Sequence, residues 1–532
     1  MKRIFTILTA FMAAALAMAT DYTENLVVTI NGASSPAQQA TIVVDEATDG
    51  TYTLSLKNFK LGMGEDVIGV GTITIDNLKK HESKGSVLLK EQRIIAIQEG
   101  DDGDSYPLLD LLQAVPIDMT ARLSDGRLNA IINIDMTNTL GQVIKVTLGS
   151  DVYQIPNSGF EAFHTATYKD ATSDEPNAWH SFMSSTGSMA NLVSSTPHTF
   201  ISTDELRPGT IGTSCVKVTS GIVKLFFGAI KQPANGTLTT GQLKAGSANA
   251  TNADNCSVLD MSVTDTDGNG DPFYARLDAQ PDAISFWAKF KQGTIEEKNQ
   301  EYKYATMSAV ITDGTYYQDP ENTDYTNVVA KAQNSTIESK DFAWQNISVP
   351  FDYDTYTDNN AATKAILVTF STNAQPGVAS TDENNPDVLY LDDLELVYNH
   401  NLTSLSIGGN EVEGFDSNTT DYSVTLETAI TEADIEGVAD GKAAYILKDI
   451  NNVEGSLDQD IVVTVVSGDL EKATAYTVHA KVTTGIEEVQ GSSNAATEAV
   501  YNINGQRVND MQRGQVYVVK KSDGTVYKAV RK

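Results

Sequence analysis

The chain has 532 residues, with 37 Lys and Arg against 70 Asp and Glu and a formal net charge of −33. That length divides into several hydrophobic cores, and 41% hydrophobic residues belong to globular protein rather than disordered chain. So acidic a surface repels phosphates and anionic lipid and sets nucleic acid and membrane surfaces aside as partners. Two cysteines and six scattered histidines cannot build a disulfide scaffold, a four-thiolate zinc site or a His-rich metalloenzyme.

Residues 1–19, MKRIFTILTAFMAAALAMA, join a basic start (Lys2, Arg3) to an apolar run from Ile4 to Leu16 and a small-residue cleavage signature, Ala17-Met18-Ala19. This is the pattern of an export signal peptide, the run being short for a membrane anchor. The expected location is the cell surface or medium, with the periplasm as alternative. No later stretch approaches the ~20 apolar residues of a membrane span.

From residue 20 the pattern is overwhelmingly β, with apolar residues at every second position over short runs and Gly, Asn, Asp or Pro between them. Residues 20–152 yield about eight strands, among them 51–59, 67–75, 86–97 and 142–148. In TARLSDGRLNAIINIDM the Asp125-Gly126 turn joins two strands, with Leu128, Ala130, Ile132, Ile134 and Met136 on one face and Asn129 and Asn133 on the other. Sequential hairpins of this number suit an up-and-down barrel. The runs TYTLSLKNFKLG and GVGTITIDN and the closing hairpin resemble the calycin-like (lipocalin-like) domain of exported Bacteroidota proteins. Calycins often hold a small ligand; Leu, Ile, Val and Met inside suit equally a barrel filled by its own side chains.

Residues 153–400 carry NSGFEAF, EPNAWHSF, SCVKVTS, ISFWAKF, FAWQNISVPFDY and LYLDDLELVYN in that order. The opening GFE strand and closing DD strand resemble the jelly-roll sandwich of carbohydrate-binding modules. More closely, the order resembles the family named "putative carbohydrate metabolism domain" of Bacteroidota surface proteins. Residues 401–485 resemble a cadherin-like β-sandwich, carried by Leu402, Leu405, Ile407, Phe415, Tyr422, Val424, Leu426, Tyr476 and Val478. Residues 486–498, around GSSNAAT, read as a linker.

Residues 499–532 hold seven Lys and Arg against two Asp, a balance of +5. With Lys2 and Arg3 also set aside, the −33 of the whole becomes −40 on residues 20–498. YNINGQRV, GQVYVV and the basic finish resemble a type IX secretion C-terminal sorting domain, which implies recognition by secretion machinery; a terminal β-meander is the plainer reading. The whole is an all-β, multidomain chain: barrel, jelly roll, small Ig/cadherin-like sandwich and short β tail.

Sugar recognition wants aromatic planes for C–H faces. Trp179, Trp287 and Trp344 all lie in 153–400. In ISFWAKF and FAWQNISVPF, Trp287 and Trp344 alternate away from the apolar rows, so they are the first stacking candidates, with Tyr317 beside Tyr316 and the loop residue Trp179 behind them; a second core layer under loops is the alternative. Structural calcium has two candidate sites. Asp265, Asp267, Asn269 and Asp271 follow the first half of an EF-hand loop with Gly270 at its sixth position, but Arg276 stands where the bidentate Glu belongs. The jelly-roll resemblance implies a second site at Glu161, Asp392 and Asp393. Alternation in LYLDDLELVY puts Asp392 on one face with Tyr390, Leu394 and Leu396, where a buried carboxylate needs a cation or several donors. One disulfide, Cys215 to Cys256, is open to the chain in an oxidising compartment.

No GxSxG elbow, HExxH helix or P-loop occurs, and nothing singles out a glycosidase pair among 70 carboxylates. The expected function is a non-catalytic glycan-binding accessory protein of the cell envelope. The alternatives are a surface adhesion or spacer protein and, third, a glycoside hydrolase. The expected ligand is neutral, as the acidic body demands.

Overall fold

The computed structural model describes residues 19–62, 67–149, 152–225, 230–483 and 496–530. The expected export signal lies outside the described residues except for Ala19, as does the expected linker through residue 495. Among the described residues the molecule is built from strands, with only four-residue α-turns at Thr137–Leu140 and Ala190–Val193 and a few 3-10 segments. No helix among them is long and apolar enough to cross a membrane. Two compact units divide the chain: Met1–His400 with Asp440–Tyr445 and Val466–Ala473, and Asn401–Ala439 with Ile446–Val465 and Thr474–Lys532.

The first unit opens with a nearly closed barrel. Its strands are β1 (Thr20–Ile30), β2 (Gln38–Glu46), β3 (Tyr52–Leu61), β4 (Ile68–Leu78), β5 (Lys80–Ser83), β6 (Ser86–Ile95), β7 (Val115–Ser124), β8 (Arg127–Met136) and β9 (Gln142–Leu148). They pair in the order β4-β3-β2-β1-β9-β8-β7-β6-β5, and the two-residue strand Ala33–Ser34 on β1 brings the sheet to ten. The end strands β4 and β5 are neighbours in sequence, and the Thr72–Gln98 bridge ties β4 to the segment after β6. Leu26, Ile42, Leu54, Ile75, Leu89, Ile117, Met119, Leu128 and Leu148 fill the interior as one cluster, with Ile132 and Ile134 packed against it. Each such side chain contributes about 1.5–3 kcal/mol. The β7–β8 hairpin turns at Asp125 (φ 51°) and Gly126 (φ 74°), the positive pair that a type I′ turn requires. Asn129, expected on a polar face, is buried, accepting from Arg122 and donating to the Gly149 carbonyl.

The rest of this unit is a sandwich. Its first sheet orders Thr199–Ser202, Cys215–Thr219, Val388–Val397, Ala283–Lys291 and Gln345–Pro350; the second orders Thr237–Thr239, Ala365–Ser371, Ala305–Thr312 and Val328–Ile337. Phe286 of the first sheet meets Phe370 of the second edge to face at 5.1 Å, and Trp179 lies 6.4 Å from Phe370 and 5.4 Å from Phe160. A third, small sheet (Gln242–Ala245, Asn255–Leu259, Tyr317–Asp319) covers part of the second sheet's outer face.

In the second unit, Leu402, Leu405, Ile407, Ile435, Leu447, Ile461, Tyr476 and Val478 are buried. Phe415 stacks on Tyr422 at 5.3 Å and lies 5.6 Å from Tyr476, whose hydroxyl accepts from the Leu402 N–H and donates to the Ser417 carbonyl. The described tail folds as a four-stranded sheet of Thr497–Asn502, Arg507–Val508, Val516–Lys521 and Val526–Val530.

Candidate functional site

The second sheet of the sandwich changes character along its outer face. Register aligns Met307 with Phe370 and Ala309 with Val368 on the inner side, so Thr306 with Ser371, Ser308 with Thr369, and Val310 with Leu367 point outward. At the Val310–Leu367 end the small sheet closes over them with Leu259 and Tyr317. Beyond it the face is polar. Gln333, Ser308, Thr369 and Thr239 stand abreast across four strands, and Thr306, Ser371 and Thr237 form a second row.

A groove of about 490 Å³ opens over these rows. Hydroxyls and amides from Thr306, Ser308, Gln333, Thr369, Ser371 and Asn235 lie below, while Phe182, Met189, Leu192, Pro233 and Pro376 supply apolar walls. Its charged lining among the described residues is Lys244 and Asp319. Lys244 bonds the hydroxyl of half-exposed Tyr316 at 3.4 Å. Burial pushes the Asp319 carboxyl up, opposed by Ser308 and Lys331. Such lining offers neutral donors and acceptors beside a larger apolar surface. None of this was legible from motifs, because seven or more segments contribute and each supplies one or two common polar residues.

The tryptophan candidates separate. Trp179 is fully buried and its Nε1 donates to the Pro156 carbonyl, so it is a core plug; Tyr317 is 1% exposed and packs edge to face on Tyr325. Neither ring has a free plane for a sugar. Trp287 and Trp344 are half-buried on the outer side of the first sheet. Arg207 covers the Trp287 ring at 5.0 Å, and Trp344 lies 6.4 Å from Tyr390 with its Nε1 buried and without a hydrogen-bond partner. Lys289, paired with Glu205, sits over Phe342 at 4.2 Å. Trp287 therefore stands partly under Arg207, and Trp344 lies beside Tyr390 of the closing strand.

The closing strand departs from simple alternation. Ser285 pairs with Glu395 but Trp287 with Asp392, so an extra residue bulges at Asp393, whose φ is +43°. The bulge turns Asp392 to the outer face beside Trp287, while Leu394 and Leu396 stay buried, which corrects the expected shared face. Asp392 is 1% exposed; its Oδ1 accepts the Asp393 N–H and its Oδ2 has no partner. Burial, then Asp393, pushes its carboxyl up to about 7.

The other members of this expected calcium set are engaged. Glu161 accepts from the Thr213 N–H and hydroxyl and the Ser214 N–H, and Asp393 is paired with Arg207. The Arg207 guanidinium supplies a cation to Asp393 of this set. In the 265–271 loop, Asp265 and Asn269 are exposed while Asp267 Oδ1 takes the N–H groups of Asn269 and Asp271. Asp267 instead faces His164 and His180.

Cys215 and Cys256 are unbonded and buried, on strands of different sheets, so the disulfide open to the pair is not formed. Burial raises both thiols, Cys215 to about 12. Since the thiolate is the reactive form, neither should react quickly with a colorimetric thiol reagent at pH 8 in native protein. Two thiols per chain should titrate after denaturation without reductant; a disulfide would leave none.

Residues 18–149 match the family model of the calycin-like β-barrel domain. No curated protein matches the chain. Among solved structures, one described as a "putative glycoside hydrolase" from Bacteroides thetaiotaomicron aligns at 14% identity over 64% of this chain and 92% of that chain, with a TM-score of 0.28. The structure of infectious bursal disease virus, Gx strain, aligns at 10% identity over 71% of this chain and 75% of that one, with a TM-score of 0.12.

Proposed function

We propose that this is an exported cell-envelope protein that binds a neutral glycan through its sandwich without cleaving it. The groove over the second sheet carries this reading: about 490 Å³ lined by side-chain hydroxyls and amides with apolar walls. A body carrying −40 disfavours anionic ligands and leaves neutral saccharides favoured. One carboxylate, Asp319, lines the groove among the described residues, whereas glycoside hydrolysis ordinarily uses two flanking the scissile bond. The barrel supports the binding module rather than holding a ligand, since its interior is filled by its own cluster. The basic 499–532 segment is the address read by secretion machinery.

The test incubates the full chain with a panel of neutral oligo- and polysaccharides and reads both retention and released reducing ends. Binding without release is expected. Release would make the protein a hydrolase, and no retention with self-association would make it a spacer or adhesin.

A further inference from the structure

One hairpin and a loop about 90 residues later converge on one carboxylate. His164 comes from the strand Phe163–Tyr168, His180 from the turn after Ala171–Pro176, and Asp267 and Asp271 from the 265–271 loop. His164 Nδ1 lies 3.0 Å from Asn177 Oδ1, and His180 Nε2 lies 3.1 Å from the Pro272 carbonyl. Those oxygens are acceptors, so each of these nitrogens carries a proton, and in the neutral imidazole the opposite nitrogen presents a lone pair. Both lone pairs then face Asp267 Oδ2, from His164 Nε2 at 3.8 Å and His180 Nδ1 at 3.4 Å.

His180 is 1% exposed and its Nδ1 has no hydrogen-bond partner. Two imidazole lone pairs against a carboxylate oxygen repel one another unless a cation stands between them. Ligand atoms of His164, Asp267 and Asp271 all lie within 4.8 Å of one another. Metal–ligand bonds of about 2.0–2.1 Å in a tetrahedron separate neighbouring ligand atoms by about 3.3–3.4 Å, so an ion would draw His164 Nε2 and Asp267 Oδ2 together from 3.8 Å. Asp267 Oδ1 and Asp271 Oδ2 are held by N–H donors of Asn269, Asp271 and Ala178, which aims the carboxylates. His164 thus has the outer hydrogen bond that usually orients a metal-bound imidazole.

We propose that His164, Asp267 and Asp271 bind one divalent transition cation of the zinc class, with a water completing four ligands and His180 Nδ1 facing the Asp267 carboxylate beside them. The His164 imidazole donor selects it over calcium, which takes oxygen. The ion pins the 265–271 loop to the start of the sandwich.

The test uses the untagged full chain, stripped with chelator and titrated with zinc against a chromophoric competitor. One tight equivalent is expected, undisturbed by millimolar calcium, with cobalt giving the visible absorption of a four-coordinate site. His164→Ala and the better-filling His164→Gln should each weaken zinc at least tenfold and abolish the cobalt band. His479→Ala, removing the exposed histidine that Asp460 and Asp421 flank, should leave the tight equivalent unchanged. Zinc affinity unaltered in both His164 variants, absence of a tight equivalent, or displacement by calcium would each overturn the assignment.

Discussion

Phe370→Ala is expected to destabilise the sandwich by about 3–5 kcal/mol, the usual cost of removing a fully buried phenylalanine. Phe370 is the ring through which the two sheets meet: it is 0% exposed, 5.1 Å from Phe286 and 6.4 Å from Trp179. Its truncation leaves a void walled by two aromatic rings that cannot both move inward without leaving their own neighbours. All three tryptophans lie in this module, so tryptophan-monitored denaturant unfolding reports on it directly. Phe163→Ala is the contrast: Phe163 is 48% exposed, and its loss should stay within about 0.5 kcal/mol. Similar midpoints for the two variants would mean that Phe370 does not join the sheets.

Asp392→Asn is expected to stabilise the protein at pH 8 and to change little at pH 4. The Asp392 carboxyl titrates at about 7 against an ordinary 3.8, burial being the first cause and Asp393 the second. A raised carboxyl pKa means that the folded state holds the proton more tightly than the unfolded chain. The native advantage is therefore complete below about pH 4 and is lost as pH rises through 7. The asparagine carries no charge at any pH, keeps an oxygen for the Asp393 N–H, and fills the place of the unpartnered Oδ2 with an amide nitrogen. A three-unit shift corresponds to about 4 kcal/mol at most, so a gain of about 2–4 kcal/mol at pH 8 is expected from denaturant midpoints. The same substitution distinguishes Arg207 from calcium as the local cation: a loss of stability in calcium-containing buffer at pH 8 would restore the ion to this place.

Local alternation was enough to place the barrel. The β8 row of Leu128, Ala130, Ile132 and Ile134 turns inward as its period of two requires, and Asp125-Gly126 makes the turn. Alternation failed where one extra residue enters a strand. The bulge at Asp393 reverses the face of everything before it, and no composition signal marks a bulge that lacks glycine. It also could not separate a tryptophan on an outward position from an exposed one, because Arg207, which covers Trp287, comes from elsewhere in the chain. Ligand sites built from several segments were least legible of all. His164 and His180 look like scattered histidines until two carbonyl-type acceptors fix their tautomers and aim both at Asp267. The groove likewise needs the cross-strand register of four strands before its serines, threonines and glutamine become one surface.

On the glycan-binding reading we propose, the negative charge on residues 20–498 favours a neutral ligand and the groove is where it would lie. Thr306 projects into that groove from a central strand. The most direct measurement is calorimetric titration of the full chain with the best-retained neutral oligosaccharide, comparing Thr306→Trp with the Trp287→Ala/Trp344→Ala double variant. The indole at 306 should fill the groove and weaken binding at least tenfold, about 1.4 kcal/mol, while the double variant binds within twofold of wild type. Undiminished binding by Thr306→Trp with loss in the double variant would contradict the groove and place the ligand on the tryptophan face.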